Sequence, residues 1–179
     1  MPLLRITCQR GVLTHEQKLQ LAEELTPVLV AGEVGVDNPA GRKGAHVLFY
    51  ELDPKTEWFL GGKPDTDAPQ GGRFILEVKY VEGAATQSEL SAVHSKMNEI
   101  VGRVLGVDGS FPSRATDWWV IVDEVQQGTW GASGQTVGVR EANQLLGGAP
   151  ERAGYFEQVL AAKKREREAY GYPKERAKG

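Results

Sequence analysis

The chain has 179 residues, of which 40% are hydrophobic and 25% charged, with a formal net charge of −3. That length fits one domain of roughly 150 residues plus a tail, and the ordinary apolar content with a small net charge excludes wholesale disorder. No run reaches the roughly 18 apolar residues of a membrane span, and the slightly acidic balance gives no footprint for nucleic acid.

Residues 3–9 alternate well enough for a strand, which Arg10-Gly11 ends. Thr14-His15-Glu16-Gln17 reads as a capping box opening a helix. Leu19, Leu21, Ala22, Leu25, Val28 and Leu29 follow at helical spacing. Gly32 and Gly35 predict an end near Val30, and Pro27 a bend close to it. A loop with Asn38-Pro39 and Gly41 leads to a second strand over 47–52, which runs into Trp58-Phe59-Leu60-Gly61-Gly62.

The second half repeats these events. Residues 74–81 read as a strand, Glu82-Gly83 breaks it, and Thr86-Gln87-Ser88-Glu89 is again a capping box. Leu90, Val93, Met97, Ile100, Val101 and Val104 mark a helix closed by Gly106. Residues 118–125 form a strand leading into Trp130-Gly131-Ala132-Ser133-Gly134. Thr14 to Thr86 is 72 residues, Trp58 to Trp130 is 72, and Glu51 to Glu124 is 73.

The chain therefore reads as α+β: two fused β-α-β units, repeat 1 over about 2–72 and repeat 2 over about 73–140. They make a four-stranded sheet with two helices on one face. A helical crossover makes the strands of each unit parallel. The other sheet face needs cover, which a symmetric oligomer supplies. Residues 141–179 form a C-terminal helix and tail, with Tyr155, Phe156, Val159, Leu160 and Ala162 apolar. Between Glu151 and Gly179 stand eight Lys/Arg and five Glu, a mildly basic, solvated end.

Pro2 at the head of a β-α-β unit resembles the tautomerase superfamily. Residues 124–134, Glu-Val-Gln-Gln-Gly-Thr-Trp-Gly-Ala-Ser-Gly, resemble the hairpin that ends the unit in 4-oxalocrotonate tautomerase. Val47 to Gly62 is similar to the matching stretch of the fused, double-length branch of cis-3-chloroacrylic acid dehalogenase. The resemblance covers residues 2 to about 140. It implies a homotrimer with no metal and no organic cofactor, acting on a small acidic substrate.

Pro2 is the candidate catalyst. Removal of Met1 turns it into a secondary-amine terminus. An α-amino group titrates near ~8 in water, and burial without a counter-charge lowers that value. A neutral amine is a general base for a proton α to a carbonyl, or attacks a carbonyl to form an iminium; a cationic one is a general acid. An acidic substrate calls for an arginine fork. Arg10, ending the first strand, and Arg73, before the second unit, are the chosen candidates, with Arg114 and Arg5 behind them. Trp130 matches an aromatic position beside the catalytic proline of 4-oxalocrotonate tautomerase. Trp118 and Trp119 must point to opposite sheet faces, one into the helix-facing core and the other to the oligomer side; Trp118 reads as core or interface packing, and Trp119, with Trp130, is a substrate-binding candidate.

The resemblance also has gaps. Val12, His46 and Trp119 stand where 4-oxalocrotonate tautomerase would place its arginines. Val81 and Ala84 replace the dehalogenase arginine pair, Leu29 its helix histidine, Ile121 its tyrosine and Ala132 its glutamate. Pro2 and Trp119 are what remains of that constellation. His15, His46, His94 and Cys8 show no metal-ligand spacing. Lys79 reads as surface or interface, and Glu51 and Glu124 as structural. The lone Cys8, without a disulfide partner, fits a reducing cytoplasm. The expectation is a tautomerase-like enzyme using Pro2 on a small carbonyl or unsaturated carboxylic acid. The alternatives are a hydratase-, dehalogenase- or decarboxylase-type member, or a non-catalytic trimer binding a ligand or partner.

Overall fold

The computed structural model describes residues 2–171; the last, basic stretch of the tail, 172–179, lies outside them, as does Met1. Strands β1 (Leu3–Gln9), β2 (His46–Leu52), β5 (Phe74–Val81) and β6 (Trp118–Val125) form one sheet in the order β2-β1-β5-β6. Each β-α-β unit contributes a parallel pair, and β1 and β5 join the units antiparallel at the centre. Two hairpins stand apart, β3–β4 (Phe59–Leu60, Lys63–Pro64) and β7–β8 (Trp130–Ala132, Gln135–Val137).

Helices α1 (His15–Val34) and α3 (Gln87–Leu105) lie against each other on one sheet face. Leu4, Ile6 and Cys8 of β1 and Phe74, Leu76, Val78 and Tyr80 of β5 point toward them. They share one core with Leu21, Leu25 and Leu29 of α1 and Val93, Met97 and Val101 of α3. Both capping boxes form. The Thr14 hydroxyl accepts from Gln17 N–H at 3.2 Å, and the Gln17 side chain accepts from Thr14 N–H at 2.9 Å. Thr86 and Glu89 repeat the exchange at 3.3 and 2.7 Å.

Three elements differ from the sequence expectation. Helix α1 does not stop near Val30; it runs to Val34 and ends on Gly35, in the left-handed conformation. Gly32 is inside the helix because a Cβ there would sit 2.2 Å from the Tyr80 hydroxyl oxygen, so packing rather than termination explains it. The loop at 38–44 contains a short helix, α2 (Pro39–Gly44), capped by Asn38, whose side chain accepts from Gly41 N–H at 2.8 Å. A further short helix, α4 (Val139–Leu145), follows β8.

The tail helix forms as a 3-10 turn (Pro150–Arg152) running into α5 (Ala153–Ala169). Val137, Val139, Ala142 and Phe156 belong to the same core as the sheet, so this segment is docked on the domain. The opposite sheet face is open. Trp118 is buried on the helix side, whereas Trp119, at 51% exposure, stands with Ile121, Leu48 and Tyr50 on the open face. Lys79 also lies there, paired with Asp123.

Candidate functional site

Antiparallel pairing of β1 with β5 puts the start of one strand beside the end of the other. Leu3 faces Lys79, so Pro2 is next to Tyr80. Pro2 is buried, and its carbonyl accepts from His46 N–H at 3.1 Å. The chain leaves β5 here through Val81-Glu82-Gly83-Ala84, and the carboxyl end of α1 comes down on the same spot.

That helix end brings a carboxylate into the core. Glu33 is 1% exposed, and its Oε1 accepts from Val81 N–H at 3.2 Å. Burial pushes the Glu33 carboxyl up from its ordinary range, while the positive amino terminus and the Val81 N–H pull it back down. Tyr80, fully buried, brings its hydroxyl against Gly32; that hydroxyl has no hydrogen-bond partner among the described residues. Burial first, then the nearby Glu33 charge, pushes its pKa up from the ordinary phenol value, so it stays a neutral phenol.

The docked C-terminal segment closes the cluster. Arg152, 8% exposed, donates from Nη1 to the Glu33 carbonyl at 2.9 Å and from Nη2 to the Glu89 carboxylate at 2.5 Å. Ala149 N–H donates to the Val34 carbonyl at 2.9 Å. The last carbonyls of α1 thus find donors, and a cation sits at the negative end of the helix dipole. The Tyr155 hydroxyl donates to the Ala85 carbonyl at 3.1 Å, and Val159 fills the space over Gly83, where a Cβ would lie 2.3 Å from it. Helix α5 therefore covers the turn in which the sequence lacks the two dehalogenase arginines.

The candidates named from sequence divide between the two ends of the sheet. Trp130, half-buried against the core, follows the end of β6 and shares the Pro2 end, because Val125 pairs with Val81. Arg10, Arg73 and Trp119 lie at the other end. Eight residues at about 3.3 Å each put Arg10 roughly 26 Å from Pro2 along β1. Arg10 is 57% exposed and pairs with Asp53 and Glu57, both at 3.3 Å. Arg73 is held between Asp65, at 2.6 Å, and Asp117. Trp119 donates its indole N–H to the Ala115 carbonyl at 3.1 Å. Within a single chain, then, the expected grouping of these residues around Pro2 does not form. Arg114 is likewise engaged, with Asp117, the Gln70 carbonyl and the Trp118 ring.

Sequence reasoning missed Glu33, Tyr80 and Arg152. A signal for Glu33 was present: it continues the Leu21, Leu25, Leu29 series at spacing four, a charge on the buried stripe. Ending the helix at Val30 hid it. Among the described residues no group of three His, Cys, Asp or Glu could hold a metal, and no helix is long and apolar enough to cross a membrane. The buried Cys8 thiol is pushed up to about 12, chiefly by burial.

The architecture matches solved structures over most of the chain. A fused 4-OT wild-type asymmetric trimer superposes with a TM-score of 0.58 at 20% identity, covering 75% of this chain and 94% of that one. N1, a member of the cis-3-chloroacrylic acid dehalogenase family, gives 0.60 at 18% identity, covering 89% and 99%. The chain has the fused tautomerase-superfamily fold. FG41 malonate semialdehyde decarboxylase, in a structure inhibited by 3-bromopropiolate, gives 0.53 at 17% identity over 74% of this chain and 91% of that one. No protein-family model and no curated relative matches the sequence.

Proposed function

We propose that this protein is a tautomerase-type enzyme in which Pro2, freed by loss of Met1, is the acid-base catalyst acting on a small carbonyl or unsaturated carboxylic acid. The observation that carries this reading is the position of Pro2: buried at the head of β1, in a fold shared with fused 4-OT, beside a carboxylate and a phenol. A secondary amine in such a place has a protonation state set by its neighbours rather than by water. Trp130 supplies an apolar wall at the same end.

The open sheet face supports assembly as a homotrimer, as in the trimeric fused 4-OT structures. Leu48, Tyr50, Trp119 and Ile121 form exposed apolar surface on one face, which water disfavours. Of the two chosen arginines, Arg10 is the more exposed, and we assign the substrate carboxylate to Arg10 of a neighbouring subunit in such an assembly.

Pro2→Ala is the direct test, against a panel of enol and unsaturated acids. Loss of turnover with retained fold supports the reading; full retention of kcat contradicts it. The engagement of Arg73 by two aspartates favours a second reading, a ligand-binding trimer without turnover. That protein would bind members of the panel equally well with Pro2 or Ala.

A further inference from the structure

The internal repeat sets two turns side by side, one after each central strand. At an offset of 72, Arg10-Gly11 after β1 corresponds to Glu82-Gly83 after β5. Each backbone makes the same bond to its parallel neighbour: Arg10 N–H to the Leu52 carbonyl at 2.8 Å, Glu82 N–H to the Val125 carbonyl at 2.9 Å. Each side chain then reaches the segment that leads into the next hairpin. Arg10 pairs with Asp53 and Glu57, ahead of β3, and is 57% exposed. Glu82 accepts from Gln127 N–H through Oε2 at 3.2 Å, three residues ahead of Trp130, and its side chain is 13% exposed. A turn-to-hairpin latch is thus built in both halves with opposite charge, open to water at the far end of the sheet and sheltered at the Pro2 end.

The shelter is the tail helix. Open space surrounds Gly11, whereas Val159 of α5 lies directly over Gly83. One turn along α5, Lys163 pairs with Glu82 Oε1 at 2.8 Å, and with Glu166 of its own helix at 3.5 Å. On the other side, the Gln127 side-chain amide donates to the Glu82 carbonyl at 2.5 Å, and its Oε1 accepts from Val139 N–H at 3.2 Å, where α4 begins. Gly83 N–H donates to the Glu124 carboxylate at 2.8 Å. Glu82 therefore lies between α5 and the base of hairpin β7–β8, with one carboxylate oxygen engaged on each. Charge-assisted bonds sheltered from water are the stronger kind, whereas solvated pairs such as those of Arg10 contribute little.

We propose that Glu82 is a positioning residue: seated by Lys163 of α5, it fixes the base of hairpin β7–β8 and with it the place of Trp130 at the Pro2 end of the sheet. The C-terminal segment, which lies outside the repeat, thereby takes part in building the site through a carboxylate that touches no substrate. The effect on turnover rests on the reading of Trp130 as an apolar wall of the Pro2 pocket. Displacing such a wall weakens binding of substrate and transition state alike, so KM carries the change.

The test uses the full chain labelled with 5-fluorotryptophan, whose four tryptophans give four fluorine resonances, that of Trp130 assigned with Trp130→Phe. Glu82→Ala is expected to move or broaden the Trp130 resonance and to leave those of Trp58 and Trp119, at the far end, in place. Glu82→Gln keeps an acceptor for Gln127 N–H and is expected to restore most of the wild-type position. Lys163→Met, at a half-exposed residue, is expected to shift Trp130 by less. On a substrate that the wild type turns over, Glu82→Ala is expected to raise KM about three- to tenfold, the worth of one hydrogen bond, with kcat nearly unchanged. A Trp130 resonance unmoved in Glu82→Ala, one that moves together with all the others, a Glu82→Gln variant as displaced as Glu82→Ala, or an unchanged KM in an enzyme whose turnover needs Pro2 overturns the proposal. Should Glu82→Ala not fold, Lys163→Met decides: a shift confined to Trp130 supports the coupling, and no shift overturns it. Undiminished turnover in Pro2→Ala defeats the underlying reading, whereas the fluorine results need no substrate and bear on Glu82 alone.

Discussion

The two halves of this chain share a plan and differ at matching places. In the first half a helix residue with no side chain, Gly32, meets a large one, Tyr80; 72 residues away the helix carries Val104 and the strand carries the smaller Cys8. Glu33 corresponds to Leu105 and Pro2 to Phe74. The second arrangement is what packing alone produces. The first places a carboxylate, a phenol and an imino acid there, and Arg152, from outside the repeat, bonds the backbone carbonyl of the helix end that carries Glu33. The divergence falls at the end of the sheet where the proposed catalyst, Pro2, stands.

The largest expected effect comes from removing what the second half lacks altogether. Pro2→Ala should lower kcat by about 10²- to 10⁴-fold, the usual contribution of general acid-base catalysis, with unchanged far-UV circular dichroism. Arg152→Leu should cost about 2–3 kcal/mol in urea unfolding, since it strips hydrogen bonds from a buried helix carbonyl and from the Glu89 carboxylate. Gly32→Ala should cost about 1–3 kcal/mol through overpacking against Tyr80. Tyr80→Phe should rescue most of that loss, which a double-mutant cycle would read; an unrescued loss would mean that the close approach is not its cause.

A smaller effect concerns pH. Hydrogen bonds from Thr86 and the Arg152 charge outweigh burial and hold the Glu89 carboxyl below its ordinary value of 4.5. A depressed carboxyl stabilises the fold above its unfolded value and ceases to do so as pH falls through the folded one. Stability should therefore decline below about pH 4.5, and Glu89→Gln should flatten that decline in thermal melts. The smallest expected change in stability is that of Arg10→Ala, under about 1 kcal/mol, because its ion pairs are solvated. If Arg10 serves a neighbouring subunit's pocket, KM should rise while stability holds; an unchanged KM removes it from the site.

Much of the fold was legible because it rests on local chemistry. The two capping boxes, the strand alternation and the constant offset located the four main strands and both long helices. The short helices α2 and α4 were not legible, since six or seven residues carry too little periodicity. The site was harder to read. Pro2 was visible from its position, but Glu33 was hidden by Gly32, a glycine that ends helices more often than it makes room for a tyrosine. Arg152 sat in a tail whose composition reads as solvated. Arg73 looked available for a substrate because Asp65 and Asp117 lie 8 and 44 residues away, and no sequence pattern announces that ion pair.

The most direct measurement is the intact mass of the protein purified from its own cells. The account expects a mass lower than that of the full 179-residue chain by one methionine, leaving Pro2 as a secondary amine. A mass that retains Met1 would make the Pro2 nitrogen an amide, unable to carry a proton or form an iminium, and would contradict the assignment of Pro2 as the catalyst.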